Sequence, residues 1–261
     1  RTPFMRYLSL ISYFDANYVS WQHQLNGLSV QQKLKKALEK TFGAPTSTTA
    51  SGRTDAGVHA LGQVVHFDAD TSIPTDKIPF AVNTHLPDDI SMLSCEVVPD
   101  DFNARFWAKR KTYCYKIYVS KHRLPLLELD QEHITYPLDL DKIEQAAKII
   151  EGTHDFKCFE ASGSVIKNTV RTVYSVDIAA KPFDNSAPRA DGKFFDGELS
   201  ISVTGNGFLY NMVRIIAGTL VYVGIGKLTP QDVSAALATG DRTMAGKTLG
   251  ARGLTLISVQ Y

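Results

Sequence analysis

The chain has 261 residues, of which 44% are hydrophobic and 21% charged, and its formal net charge is +1. These values are typical of a soluble globular protein with one large domain or two smaller ones. So balanced a charge excludes binding of nucleic acid through overall charge, so that such a partner requires a local cluster of cations.

The cysteines and histidines give no pattern of a metal site or a disulfide framework. The three cysteines are widely spaced, and His59 and His66 flank the start of a strand, where a structural role is expected. The most apolar run, 215–225, is too short to span a bilayer. We therefore expect a cytoplasmic protein that has no membrane segment and binds no metal.

Hydrophobic periodicity predicts the elements of the first half. Residues 4–14 alternate as in a strand, and a helix follows the capping pair Ser29 and Gln32 and ends at Gly43. A strand is predicted at 63–67. Residues 70–101 hold several prolines and short polar turns, and residues 86–90 are expected to break any long element.

The second half has more strands and three more helices. Strands are predicted at 112–119, 170–180, 198–204 and 253–261, and helices at 141–151, 208–223 and 230–240. Thr229 is the expected N-cap of the last helix, and Arg214, in the apolar helix 208–223, is expected either to pair with an acid or to point into a site. The insertion 181–192 is rich in Pro, Asn, Asp and Gly, which is typical of an exposed hairpin loop.

This order predicts an α+β fold in which two halves, 1–108 and 109–261, repeat a strand–helix–strand plan with largely antiparallel sheet. The chain joins the two halves near residues 105–112.

The segment 51–60 reads SGRTDAGVHA and lies between a predicted helix and a predicted strand. Asp55 stands among small residues with Arg53 two positions before it, and a neighbouring guanidinium favours the ionised carboxylate. A charged carboxylate in a positioned loop is typical of a catalytic group. The alternatives are an aspartate that only forms a turn and a phosphate-binding loop, although the segment lacks the Lys-Ser/Thr ending of a P-loop.

A second stretch, 101–111, combines cations with aromatic side chains. Cations meet phosphates and flat rings meet bases, so this mixture is typical of RNA contact, although an amphipathic strand with buried aromatic residues is the alternative. The candidates for phosphate contact are Arg105, Lys109, Arg110, Lys111, Lys121 and Arg123.

These motifs together resemble the tRNA pseudouridine synthase A family. The segment 51–60 matches the family signature without a change, and family-like segments occur in the right order over nearly the whole chain. They lie at 21–24, 30–31, 63–67, 86–90, 102–106, 113–115, 152–156, 205–209, 212–214 and 253–256. The departures are residues 14–17, where the family has a Tyr-Asp-Gly-Thr type of turn, Asn103 and Ile215.

The resemblance implies a pseudouridine synthase fold, in which two α+β halves with mostly antiparallel sheets form a continuous mixed sheet flanked by helices, with a cleft between the halves. It implies an isomerase that converts uridine to pseudouridine at positions 38–40 in the anticodon stem-loop of tRNA, acting as a homodimer without metal or organic cofactor. Asp55 is then the essential catalytic residue, Arg53 its partner, Tyr113 the ring that stacks on uracil, and Arg214 a second arginine of the site.

Several alternatives remain open. A related synthase would act on other uridines of tRNA or of small RNAs, and an RNA-binding module would use the same cations without catalysis. Asp55 would either attack C1′ of the ribose or remove a ribose proton, and the residue types do not choose between these roles.

Overall fold

The computed structural model describes residues 4–22, 24, 27–164, 166–183 and 195–261. They form two compact units, Arg1–Lys109 with Thr255–Tyr261, and Arg110–Leu254. Both contain helices and mostly antiparallel strands, which confirms the α+β class. The domain boundary between residues 108 and 109 stays a prediction. Most of the predicted hairpin loop 181–192 lies outside the described residues.

The first unit is built on one mixed sheet. Its strands are β1 (Met5–Tyr13), β2 (Thr48–Ala50), β3 (His59–Ala69), β4 (Ile90–Val98) and the C-terminal β10 (Leu254–Gln260), and its helices are α1 (Val30–Phe42) and α2 (Ile78–Asn83). The strand order is β4-β1-β3-β10, and β2 also pairs with β3. Strand β1 is antiparallel to both of its neighbours, whereas β10 runs parallel to β3.

Helix α1 begins and ends where its sequence predicts. The side chain of Ser29 accepts from the N–H of Gln32, the side chain of Gln32 accepts in return from the N–H of Ser29, and Gly43 ends the helix at a φ of 72°. Its buried face contains Val30 and Leu34. Local sequence therefore fixes this helix before any tertiary contact is considered.

Residues 86–89 separate α2 from β4, which agrees with the predicted break at 86–90, but the sequence did not predict strand β4 itself. Strand β4 has nine residues and pairs with β1 along its length. Its outer positions include the exposed Leu93 and Val97, so its residues do not alternate simply between apolar and polar. Pro87 lies before the strand rather than inside it, where it removes no ladder hydrogen bond.

The second unit is also α+β. Its strands are β5 (Arg110–Val119), β6 (Glu132–Ile134), β7 (Gly152–Asp155), β8 (Val170–Pro182) and β9 (Gly197–Gly205), and its helices are α3 (Leu140–Ile150), α4 (Met212–Gly224) and α5 (Pro230–Thr239). Strands β5, β9, β8 and β7 pair antiparallel in that order, and β6 runs parallel to β5.

The ends of the last two helices follow from local backbone conformation. Helix α4 begins at Met212 rather than at the predicted residue 208, because Asn211 before it has a left-handed backbone with a φ of 60°. Helix α5 has the predicted cap at Thr229 and ends at Gly240. Within the described ranges, no helix combines the length and apolar character needed to cross a membrane.

Close approach of β10 to β3 requires a glycine at position 62. A Cβ there would lie 2.3 Å from the carbonyl oxygen of Ile257. We expect Gly62→Ala to lower the free energy of unfolding by about 1–3 kcal/mol, because the two strands would have to separate. Denaturant unfolding would measure the change.

The control for this variant is Leu61→Ala, since Leu61 is 57% exposed in the same strand. We expect the control to change stability by no more than about 0.5 kcal/mol. Equal stability of Gly62→Ala and wild type would contradict the tight approach of the strands.

Candidate active site

Asp55 lies on a tight turn that leads into β3. The carbonyl of Asp55 accepts from the N–H of Val58 at 3.1 Å, and Gly57, the third residue of the turn, has a φ of 80°. A positive φ at this position is typical of a type II turn and favours glycine. Asp55 itself is exposed, so its carboxylate is accessible to a reactant.

The backbone before Asp55 is held by residues that follow β1. The N–H of Trp21 donates to the carbonyl of Thr54 at 3.2 Å, and Ser20 forms an isolated antiparallel bridge with Asp55. The hydroxyls of Tyr13 and Thr54 are 2.8 Å apart and hydrogen-bonded. Trp21 and Tyr13 are buried, so these bonds are shielded from water.

A buried amide holds the start of the same loop. The Gln63 side chain is completely buried, its Nε2 donates to the carbonyl of Gly52 at 3.0 Å, and its Oε1 accepts from the hydroxyl of Ser51 at 2.7 Å. The N–H of Ser51 donates to the carbonyl of Val64 at 2.8 Å. The loop is therefore fixed to β3 at residues 51 and 52.

Asp15 lies next to the turn that carries Asp55. Its backbone N–H donates to Nδ1 of His59 at 2.9 Å, and the ring of the preceding Phe14 stacks on the His59 ring with centroids 4.3 Å apart. Asp15 has no exposed surface, and by distance and angle neither carboxylate oxygen makes a hydrogen bond with a described residue.

The surroundings of the Asp15 carboxylate disfavour its charge. Burial raises its pKa to about 6, the nearby backbone N–H groups of Gly57 and Tyr18 oppose the rise in part, and the charge of Asp89 adds to it. Asp89 also accepts from the hydroxyl of Tyr18 at 2.5 Å. Asp15 was not among the predicted site residues, and residues 14–17 were noted only as a departure from the family's turn.

Arg53 is exposed on the same loop as Asp55. The ionic contact of its guanidinium with the Asp55 carboxylate stays a prediction. The structure establishes that both residues belong to one loop whose backbone is held on either side.

In the second unit, Tyr113 lies in β5, and its ring meets the ring of Phe208 edge to face, with centroids 5.3 Å apart and planes at 88°. The residue is partly exposed. Such a contact restrains the tyrosine ring from one side and leaves ring surface accessible for stacking. Phe208 was not among the predicted site residues, although it belongs to a segment that carries the resemblance.

Arg214 lies in α4, where an acidic partner or a role in a site was expected. Its Nε donates to the carbonyl of Leu249 at 2.7 Å, and its Nη1 donates to Oδ1 of Asn211 at 2.7 Å. Both acceptors are uncharged, so these bonds orient the guanidinium without neutralising it. An oriented cation is suited to binding an anionic group.

Two of the predicted phosphate-binding arginines lie over aromatic rings. Arg105 is 5.6 Å from the ring centroid of Phe106, which is 77% exposed, and Arg110 is 4.3 Å from that of Tyr174. The aromatic residues of the stretch are divided, because Phe102 is buried in the core of the first unit. Each unit thus presents a cation with an exposed ring.

The other candidates differ in their surroundings. Lys109 and Lys121 are exposed and Lys111 is partly exposed. Arg123 is exposed but paired with Glu128 through two hydrogen bonds, of 2.9 Å from Nε and 2.6 Å from Nη2. This ion pair must break before Arg123 can donate the same two hydrogen bonds to a phosphate.

Comparison with known proteins places the chain in a family. The family described as tRNA pseudouridine synthase matches residues 14–107 and 146–261. The tRNA pseudouridine synthase A of Ruminiclostridium cellulolyticum is 44% identical over 96% of this chain and 97% of its own. That of Bacillus velezensis is 43% identical over 98% of this chain and 99% of its own.

A chain of a solved Cbf5-Nop10-Gar1 complex is also similar, at 12% identity and a TM-score of 0.35, over 95% of this chain and 57% of that chain. So low a score does not bear on the fold. The sequence matches do decide the class: the chain belongs to the tRNA pseudouridine synthase family, a family of isomerases.

The buried Asp15 generates a prediction about stability. Its folded-state pKa of about 6 exceeds the ordinary 3.8, so the folded state binds the proton more tightly. The protonated side chain therefore stabilises the folded state at low pH, and this stabilisation is lost as pH rises from about 4 to 6. Asp15→Asn lacks this loss, and above that window we expect it to be more stable than wild type by up to about 3 kcal/mol.

Denaturant unfolding of both proteins on either side of this window measures the difference. The control is Asp76→Asn, since Asp76 is exposed in a surface ion pair with Lys77. A stability difference between Asp15→Asn and wild type that does not depend on pH would contradict the raised pKa.

Proposed function

We propose that the chain isomerises uridine to pseudouridine at positions 38–40 of the anticodon stem-loop of tRNA, with Asp55 as the catalytic residue. The observation that carries the proposal is an exposed carboxylate on a turn whose backbone is held on both sides, within the segment that matches the family. The similar proteins are tRNA pseudouridine synthases, which supports tRNA as the substrate.

The reaction needs one carboxylate and no oxidation. The N1–C1′ bond breaks, the uracil turns, and C5 joins C1′; the proton leaves C5, and the freed N1 takes up a proton. Asp55 acts either by attacking C1′ or by removing a ribose proton, and both roles require an ionised carboxylate that reaches the sugar. The exposed position of Asp55 is compatible with both.

The target nucleotide must leave its stack before its C1′ is accessible. We propose that Tyr113 provides a surface for the uracil, which its edge-to-face contact with Phe208 holds in orientation. Base stacking on an aromatic ring contributes about 1–3 kcal/mol. Arg53 keeps Asp55 ionised, and Arg214, oriented by two uncharged acceptors, binds an anionic group of the nucleotide.

Recognition of the tRNA rests on shape and backbone charge. The exposed Arg105, Lys109, Arg110 and Lys121, with the partly exposed Lys111, are suited to phosphate contact. We further propose that the protein acts as a homodimer in the cytoplasm. The free thiols of its three cysteines are compatible with a reducing compartment.

The test of catalysis uses tRNA with tritium at uracil C5, because the reaction releases that hydrogen. We expect Asp55→Ala to reduce tritium release at least about a thousandfold. Its affinity for tRNA should stay within about threefold, since phosphate contacts dominate binding. Asp76→Asn serves as the control and should release tritium at the wild-type rate.

The outcomes separate the rival functions. Tritium release by Asp55→Ala at the wild-type rate would refute the catalytic role of Asp55. If wild type and every variant bound tRNA but released no tritium, the protein would be an RNA-binding module. Release from uridines outside positions 38–40, found by mapping the product, would indicate a related synthase.

The cations generate a second prediction. Arg105→Ala and Arg110→Ala should each weaken tRNA binding and reduce the slope of log affinity against log salt by about 0.7–0.9, as one phosphate contact is lost. Arg123→Ala should reduce it less, because the pair with Glu128 competes with phosphate. Filter binding over a series of salt concentrations measures the slopes. A slope equal to that of wild type excludes the substituted residue from the interface.

A further inference from the structure

Asn211, the residue before α4, has an unusual backbone. In the part of the chain that the structure describes, it is the only residue other than glycine with a positive φ, at φ 60° and ψ 11°. Asparagine tolerates this left-handed conformation better than most residues, but the conformation is still less favourable than a right-handed one. The carbonyl of Asn211 accepts from the N–H of Ile215 at 3.0 Å, so the residue occupies the N-cap position of α4.

The side chain of Asn211 does not cap its helix. At the N-caps Ser29 and Thr229 the backbone is extended, and the side chain accepts from a backbone N–H of the first turn, which is the usual arrangement. Among the described residues Asn211 makes no such bond, and its Oδ1 accepts from Nη1 of Arg214 at 2.7 Å instead. The left-handed backbone thus coincides with an amide that serves Arg214 rather than the helix.

Arg214 is the third residue of α4, so its charge lies near the positive end of the helix dipole, where a cation is disfavoured. Its Nε donates to the carbonyl of Leu249 at 2.7 Å, and its own carbonyl accepts from the N–H of Leu249 at 3.4 Å. The segment of Leu249 packs tightly on α4, since a Cβ on Gly218 would overlap the carbonyl oxygen of Lys247. A fixed part of the second unit therefore holds Arg214 at Nε.

The backbone of Asn211, its missing cap and the place of Arg214 are all unfavourable to α4 itself. Local strain of this kind is commonly found at functional sites, where other contacts maintain it. The bond from Arg214 to Asn211 is the feature that the first two have in common. Because the acceptor is an uncharged amide, the bond orients the guanidinium and leaves its charge available to an anion.

We propose that Asn211 is a positioning residue, which fixes the guanidinium of Arg214 in the orientation that binds the target nucleotide. This inference rests on the role proposed above for Arg214. The bond to Leu249 holds Nε and by itself lets the guanidinium turn about that contact, and the amide of Asn211 removes this freedom at Nη1. Asn211 acts through Arg214 and not on the substrate.

Asn211→Gly removes the amide and keeps the backbone, because glycine adopts the left-handed conformation without strain. We expect it to lower kcat for tritium release about tenfold, since a small displacement of a group that holds the substrate slows a reaction strongly. KM for tRNA should stay within about twofold, because the other proposed phosphate contacts are untouched. Its midpoint of denaturant unfolding should be close to that of wild type.

Asn83 in the first unit offers a matched control. Its side chain makes two hydrogen bonds with the backbone of Met92, of 2.8 Å and 3.0 Å, so Asn83→Gly loses more bonds than Asn211→Gly does. We expect the control to be less stable than wild type and to keep the wild-type kcat. An equal fall of kcat in both variants would assign the effect to lost stability and overturn the inference.

A double-mutant cycle tests whether the effect of Asn211 passes through Arg214. Arg214→Ala should lower kcat by more than Asn211→Gly does, and Asn211→Gly added to it should lower kcat by less than about twofold further. A further loss as large as in wild type overturns the inference. So does a wild-type kcat of Asn211→Gly beside a reduced kcat of Arg214→Ala.

The proposed function fails in a different way. A wild-type kcat of Arg214→Ala would remove Arg214 from the site, and the inference with it, while Asp55→Ala could still be inactive. If wild type released no tritium at all, the proposed reaction itself would be refuted.

Discussion

Hydrogen bonds to the backbone on both sides of Asp55 are the constraint on which the site depends. A carboxylate that reacts with a sugar has to be exposed, and an exposed side chain has few contacts of its own to fix it. Its position is then set by the peptide that bears it. Here the buried side chains of Gln63 and Tyr13 and the backbone of Trp21 bond to residues 51–54, so the core of the first unit determines where the loop lies.

Local chemistry explains which elements the sequence predicts. Helices α1 and α5 are confirmed with their caps, because capping side chains and a terminal glycine act within a few residues of the chain. Strand β4 was missed for two reasons: its exposed apolar residues hide the alternation, and its stability comes from pairing with β1. The paired residues lie 77 (Tyr13 and Ile90) to 92 (Arg6 and Val98) positions apart in the sequence. The parallel pairing of β10 with β3 is likewise set by tertiary contact, which no strand pattern encodes.

The residues of the candidate site also fall into those that the local sequence reveals and those that depend on tertiary contacts. The segment 51–60 was found because its residue types are unusual together, and the cations because charge is visible in any sequence. The partners of Arg214 were not found, since they are a carbonyl and an amide rather than the acid expected for an arginine in an apolar helix. Asp15 was missed for a related reason. The sequence pattern of an aspartate in a polar turn is the same whether its side chain is solvated or, as here, completely buried.

The burial of Asp15 is costly to the fold, and that cost bears on its role. A buried carboxylate without full hydrogen bonding destabilises a protein at neutral pH, and a neutral side chain of the same shape removes the penalty. Packing alone therefore does not account for an ionisable group at this position. Asp15 lies beside the turn that carries Asp55, since its backbone N–H donates to Nδ1 of His59, so the penalty falls next to the candidate site. Sites at which stability is given up in this way are commonly functional ones.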